Sequence, residues 1–85
     1  MTIDIVGRTT EAPSPLGPYS QSRRRGSFIA CAGQGGIGLD GSVDEGFGPQ
    51  PRRTFENLRA TLGAAGATFS DVIQARVFLT DPGQF

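Results

Sequence analysis

Few side chains in this sequence could do chemistry, and each has a structural alternative. Tyr19 follows directly on Gly17-Pro18. A tyrosine behind a rigid Gly-Pro pair is held in one direction with its hydroxyl available to a ligand. It could equally be half-buried core, and the residues alone leave both readings open. Gly33-Gln34-Gly35-Gly36-Ile37-Gly38 fits G-x-G-x-x-G directly after an apolar run. A dinucleotide site of that pattern needs a helix to open there, with its N-terminus on the pyrophosphate. Leu39-Asp40-Gly41-Ser42 turns instead, and no acid-ended strand follows at the required distance. The stretch therefore reads as a plain loop. Arg23-Arg24-Arg25 is the one basic cluster. Productive binding of a phosphate strand commonly engages several more cations, so a solvated hairpin turn is expected. Cys31 stands inside an apolar stretch without a basic neighbour to lower its pKa, which marks a packed thiol rather than a nucleophile.

Composition removes whole classes of function. Eight arginines balance eight acids, and there is neither lysine nor histidine. A net charge of zero argues against an overall nucleic-acid footprint and against an acidic solvating tail. One cysteine and no histidine exclude protein-only zinc sites and His-based triads within the chain. No apolar run approaches the roughly 18 residues of a membrane span. The start, Met1-Thr2-Ile3-Asp4, lacks the basic and apolar stretches of a secretion signal, and a lone cysteine gives no sign of an oxidising compartment. A cytoplasmic protein without membrane attachment is the expectation. At 85 residues the chain is one small domain or a piece of one.

The elements that must position these residues follow from pattern. Residues 1–6 alternate apolar and polar as a short edge strand. Residues 12–18, with three prolines, form a rigid extended connection. Residues 19–24 suit a second strand, and Arg25-Gly26 a turn. The continuously apolar run after Ser27 predicts a strand over 27–32 covered on both faces. Asp40-Gly41 between Leu39 and Val43 is a turn signal. Pro51 suits the first position of a helix and Gly66 the residue just past its end. Phe55, Leu58, Leu62 and Ala65 would form its apolar stripe. Arg52, Glu56 and Arg59 would form a solvated face. Ser70-Asp71 opens a strand over 72–80, whose face of Ile73, Ala75, Val77 and Leu79 should lie on the helix. Asp81, Pro82 and Gln84 stand at cap, first-turn and capping-box positions of a further helix, for which the 85 residues supply no continuation.

In this order and spacing the residues resemble the RidA (YjgF) family of reactive enamine/imine deaminases. The match runs from Ala12-Pro13 through Gly17-Pro18-Tyr19-Ser20-Gln21 and along Phe28-Ile29-Ala30-Cys31-Ala32-Gly33-Gln34. It continues in Asp40-Gly41-Ser42-Val43, Thr54-Phe55-Glu56-Asn57-Leu58, Ala65-Gly66, and from Asp71-Val72 to Phe85. The resemblance implies an α/β (α+β), chorismate-mutase-like fold with helices on one face of a small mixed sheet. Residues 1–85 would be a single domain cut after its fourth strand, the N-terminal two-thirds of the family's length. It also implies a homotrimer with pockets at subunit interfaces, the face of Val72, Gln74, Arg76 and Phe78 turned toward partner subunits. The implied reaction is hydrolysis of 2-aminoacrylate and related enamines or imines to 2-keto acids and ammonia, without metal or organic cofactor.

By the same resemblance, Tyr19 supplies a pocket wall and hydroxyl, and Gly33 a backbone amide facing the ligand. Ala32 takes a place where small residues are common, and Phe85 aligns with a phenylalanine near the pocket. The arginine that grips the substrate carboxylate and the glutamate that handles water have no match in this chain, and Arg76 occupies a different position. The 85 residues as they stand are therefore expected to be inactive, the sequence being incomplete or a shortened homologue. Two alternatives stay open: a trimer that binds small carboxylates without turning them over, and an RNA-acting, endoribonuclease-like or translation-inhibitor-like member. Only Arg23–Arg25 supports the second.

Overall fold

The computed structural model describes residues 3–43, 45 and 48–78. Three short strands, β1 (Asp4–Gly7), β2 (Ser22–Arg25) and β3 (Phe28–Cys31), form an antiparallel sheet in the order β1-β2-β3. Gly26 makes the β2–β3 turn with Ser27, at a φ of 55° that glycine adopts freely. The Gly26 amide then donates to the Ile3 carbonyl at 2.6 Å, closing the β1 side.

The side chains alternate strictly. Ile5, Arg24 and Ile29 lie opposite one another and are half-buried on one face. Asp4, Val6, Arg23, Arg25, Phe28 and Ala30 are exposed on the other. β3 is thus covered on one face, not on two as its apolar run predicts, and Phe28 stays 80% exposed. The arginine triplet lies within β2 rather than in the turn.

Helix α1 (Pro49–Ala64) covers the inner face, starting two residues before Pro51 with a proline in its first turn. There the missing N–H of proline is no loss. Gly36 lets the preceding loop touch this start, since a Cβ on it would lie 2.9 Å from Gln50 Cα. The buried stripe is rotated from the expected one. Leu62 and Ala65 are buried as predicted, but their company is Asn57 and Thr61, while Phe55 faces outward. Phe55 packs edge-on against Phe69 at 6.3 Å. Glu56 pairs with Arg53 at 3.2 Å rather than with Arg52 or Arg59.

The helix ends as predicted at Gly66, whose φ is 84°. Its amide donates to the Gly63 carbonyl and that of Ala67 to the Leu62 carbonyl, both at 3.0 Å, the paired bonds of a Schellman end. Arg24 Nη1 adds a bond to the Ala65 carbonyl at 3.3 Å, so β2 helps cap α1.

Two expectations fail beyond the helix. Asp71 closes a short 3-10 turn (Phe69–Asp71) rather than opening a strand, because its carboxylate accepts from the Thr68 amide at 2.9 Å. Residues 72–78 carry no ladder, and Ile73 is 96% exposed instead of lying on α1. A strand exists only through its partner, and this alternating segment has none among the described residues. The described sheet is accordingly three-stranded and antiparallel, not mixed with a fourth strand. Leu79, Thr80 and the Asp81-Pro82-Gln84 helix start lie outside the described residues. Among the described residues no helix is long and apolar enough to cross a membrane.

Candidate ligand groove

The ends of β2 and β3 and the chain around them bound an open groove of about 630 Å3. Tyr19, Ala32 and Gly33, 14 positions apart at the extremes, line it together, with Ser20 and Cys31 between them. Phe85, the fourth expected site residue, lies outside the described residues. A second open groove, of about 780 Å3, runs along Arg8–Glu11 and Ser14–Pro15 on the other side of Tyr19.

Local backbone chemistry sets each of these groups. The Tyr19 amide donates to the Gly17 carbonyl at 2.9 Å, and its hydroxyl accepts from the Leu16 amide at 3.2 Å. The ring is folded back over its own Gly-Pro loop, 48% exposed, with the hydroxyl proton free to donate outward. Ala32 continues the sheet by one rung, its amide donating to the Gln21 carbonyl at 3.0 Å. Gly33 leaves the sheet directly afterwards and is exposed, and its amide donates to nothing among the described residues. A Cβ on Gly33 would meet nothing within 4 Å, so packing within the chain does not require a glycine there.

Electrostatically the groove is nearly neutral. Its one charged lining residue is Arg23, whose guanidinium is bound in a fork to Asp4 at 3.0 Å through both Nε and Nη2. Arg25 lies 3.8 Å from the same carboxylate. Arg24 is turned to the opposite face and spent on the Gly26 and Ala65 carbonyls. Arg23 and Arg24 are thus bonded within the chain, while Arg25 stays largely exposed. Arg76 is exposed in residues 72–78 and does not line the groove. Cys31 is a half-buried free thiol beside Ala32.

Two neighbours of the site, Gln21 and Asn57, stand in segments that carry the resemblance but have no role assigned by it. Gln21, 3% exposed, donates through Nε2 to the carbonyls of Thr9 and Pro13 at 3.1 and 2.9 Å and, more weakly, of Ala12 at 3.4 Å. Its Oε1 accepts from the Thr9 amide at 2.7 Å. Asn57, 1% exposed, donates to the carbonyls of Gly35 and Ile37 at 3.2 and 2.9 Å. The glycine loop is therefore fastened to α1, not free as a plain loop would be. The signal that could have located Asn57 is its four-residue spacing to Thr61 and Ala65, a second stripe beside the apolar one. Nothing in the sequence distinguished Gln21 from a solvated glutamine.

The groove so built can orient a small polar molecule between a hydroxyl and a free amide. Among the described residues it holds no free cation for a carboxylate and no acid or base aimed at a bound water.

Comparison with known proteins bears directly on this arrangement. The family model for Endoribonuclease L-PSP matches residues 9–85. A RutC family protein of Pyrococcus abyssi is 42% identical over 81 residues, covering 91% of this chain and 62% of that protein. A 2-iminobutanoate/2-iminopropanoate deaminase of Salmonella typhimurium is 36% identical over 80 residues, covering 91% and 61%. The crystal structure of RidA from an Antarctic Psychrobacter superposes with a TM-score of 0.72 at 33% identity, over 76% of this chain and 54% of that one. Escherichia coli TdcF with bound serine gives 0.72 at 31%, over 75% and 51%. The chain spans about six-tenths of the length of the curated relatives it matches.

Proposed function

Because the chain belongs to the Endoribonuclease L-PSP family and has the RidA fold, we propose that the protein hydrolyses 2-imino acids, 2-aminoacrylate-derived ones included, to 2-keto acids and ammonia. The observation that carries the reading is the convergence of Tyr19, Ala32 and Gly33 on one groove, in a chain 36% identical to a named imine deaminase.

The reaction consumes one water. Its oxygen adds to the C2 imine carbon as the imine nitrogen takes up a proton, and the resulting carbinolamine expels ammonia to leave the keto group. In this proposal the Gly33 amide and the Tyr19 hydroxyl orient the planar imino acid, which is where a hydrolytic site gains most from positioning. Ala32 keeps the wall between them low. The carboxylate anchor and the water-handling acid that the family resemblance implies have no match among these 85 residues, so this chain contributes the orienting wall. The proposal includes a homotrimer whose interfaces close the groove. It draws support from the uncovered sheet face that carries Val6 and Phe28.

A second reading, binding of small amino or keto acids without turnover, draws support from the solved relative that holds serine. The RNA-acting reading rests on the name of the family model, and it draws less from the arginine triplet, of which Arg23 and Arg24 make bonds within the chain.

The test is release of pyruvate and ammonia from freshly generated 2-aminoacrylate by the longest product of the gene, its mass verified. A rate above buffer is expected, and Gly33→Ala should lower it without changing the unfolding midpoint, because the added methyl at this groove-lining position meets no other atom of the chain within 4 Å. A wild-type rate equal to buffer, with serine or pyruvate still bound, selects the second reading.

A further inference from the structure

The residues that would face the ligand are held by few groups, and one residue bonds on both sides of them, through its side chain to the loop before Tyr19 and through its backbone to Ala32. Residues 8–21 contain three prolines and form no helix or strand, so the carbonyls along them need donors from elsewhere. Gln21 supplies them. Its Nε2 spends both protons on the Thr9 and Pro13 carbonyls, with a weaker share to Ala12, while its Oε1 accepts the Thr9 amide. A single amide thereby fastens both strands of the loop that ends in Tyr19. The same residue's backbone carbonyl accepts the Ala32 amide, the last rung before Gly33 leaves the sheet.

We propose that Gln21 is the positioning residue of the groove, setting the Tyr19 hydroxyl and the Gly33 amide at a fixed separation. This rests on the deaminase reading for its kinetic consequence, though not for its geometric one. Only a glutamine meets the need. Asparagine is one methylene too short to reach across the loop, and a glutamate turns a carboxylate on carbonyls that need donors. Methionine fills the same space without hydrogen bonds.

The experiment compares wild type, Gln21→Met and Gln21→Glu in the full-length protein. Three readouts are taken: kcat and KM for 2-aminoacrylate-derived imine, thermal unfolding, and backbone amide resonances. Both variants should lose about 10- to 100-fold in kcat/KM, as expected for a displacement of about 1 Å at reacting groups. They should do so at temperatures well below their unfolding midpoints. The amide signals of Leu16, Tyr19 and Gly33 should move, while those of Gly35 and Ile37, held by Asn57, should not. Unmoved Tyr19 and Gly33 signals overturn the proposal, as does an unchanged kcat/KM in a variant of lowered stability. Failure of both variants to fold overturns it too, since Gln21 would then serve the fold alone. If the wild type is inert toward imines, the deaminase reading falls and the amide signals decide the positioning claim by themselves.

Discussion

Buried amides and hydroxyls, more than apolar side chains, decide where the loops of this protein lie. Among the described residues four apolar ones, Ala12, Leu62, Ala65 and Ala67, are buried, and three are alanines. Beside them Gln21, Asn57 and Thr61 are buried with their hydrogen bonds made, as burial of a polar group requires. Among the described residues Ser22 Oγ is the buried side-chain atom left without a partner, pressed against Gly7, where a Cβ would collide with it. Asp40 is the exposed counterpart of these latches. Its carboxylate accepts from the Ser42 hydroxyl at 2.6 Å and the Ser42 amide at 3.0 Å, and these bonds hold its pKa below the ordinary carboxylate value. Because the folded pKa is the lowered one, the turn's contribution is complete above the unfolded carboxylate's pKa. It is lost as pH falls through the folded value. A carbon-detected NMR titration should give Asp40 a midpoint below that of an unstructured aspartate, and Ser42→Ala should raise it. A midpoint that ignores Ser42→Ala would refute the assignment.

Among the elements, those defined by local chemistry were legible and those defined by partners were not. The hairpin turn at Gly26, the Asp40-Gly41 turn and the helix end at Gly66 all follow from glycine's access to positive φ, seen at 55°, 85° and 84°. The helix start was misread by two residues because Pro49 and Pro51 both suit a first turn. Of the site, Tyr19 was legible as a candidate from its place behind Gly17-Pro18, and Ala32 and Gly33 only through the family resemblance. Gln21 was not, since a glutamine's burial depends on a loop folding over it. At this scale Gly66→Ala should destabilise by about 1 kcal/mol through the left-handed backbone. The added Cβ would also sit 3.3 Å from Arg24 Nη1 and disturb its bond to Ala65. Urea unfolding measures this, and a loss that persists undiminished in Arg24→Ala assigns the cost to the backbone alone.

For the molecule as a whole, the question is what covers its apolar surface. Phe28 is 80% exposed on the outer sheet face and Phe78 89% on residues 72–78, more than a small soluble subunit ordinarily leaves to water. The proposed trimer predicts a sedimentation mass three times that of the full-length chain, with Phe28→Glu reducing it toward a monomer. A wild-type monomer at tens of micromolar would remove the trimer and leave the groove one-sided. The sequence by itself determined the turns, the helix and its end, the succession of the first three strands and the family. Each of these rests on short-range sterics or on residue types at set spacing. Only the tertiary structure decided that β3 is covered on one face, that α1 buries Asn57 and Thr61, and that residues 72–78 stand unpaired. It also placed Tyr19 and Gly33 along one open groove. Burial and strand pairing are properties of two surfaces meeting, and periodicity along one chain describes only one of them.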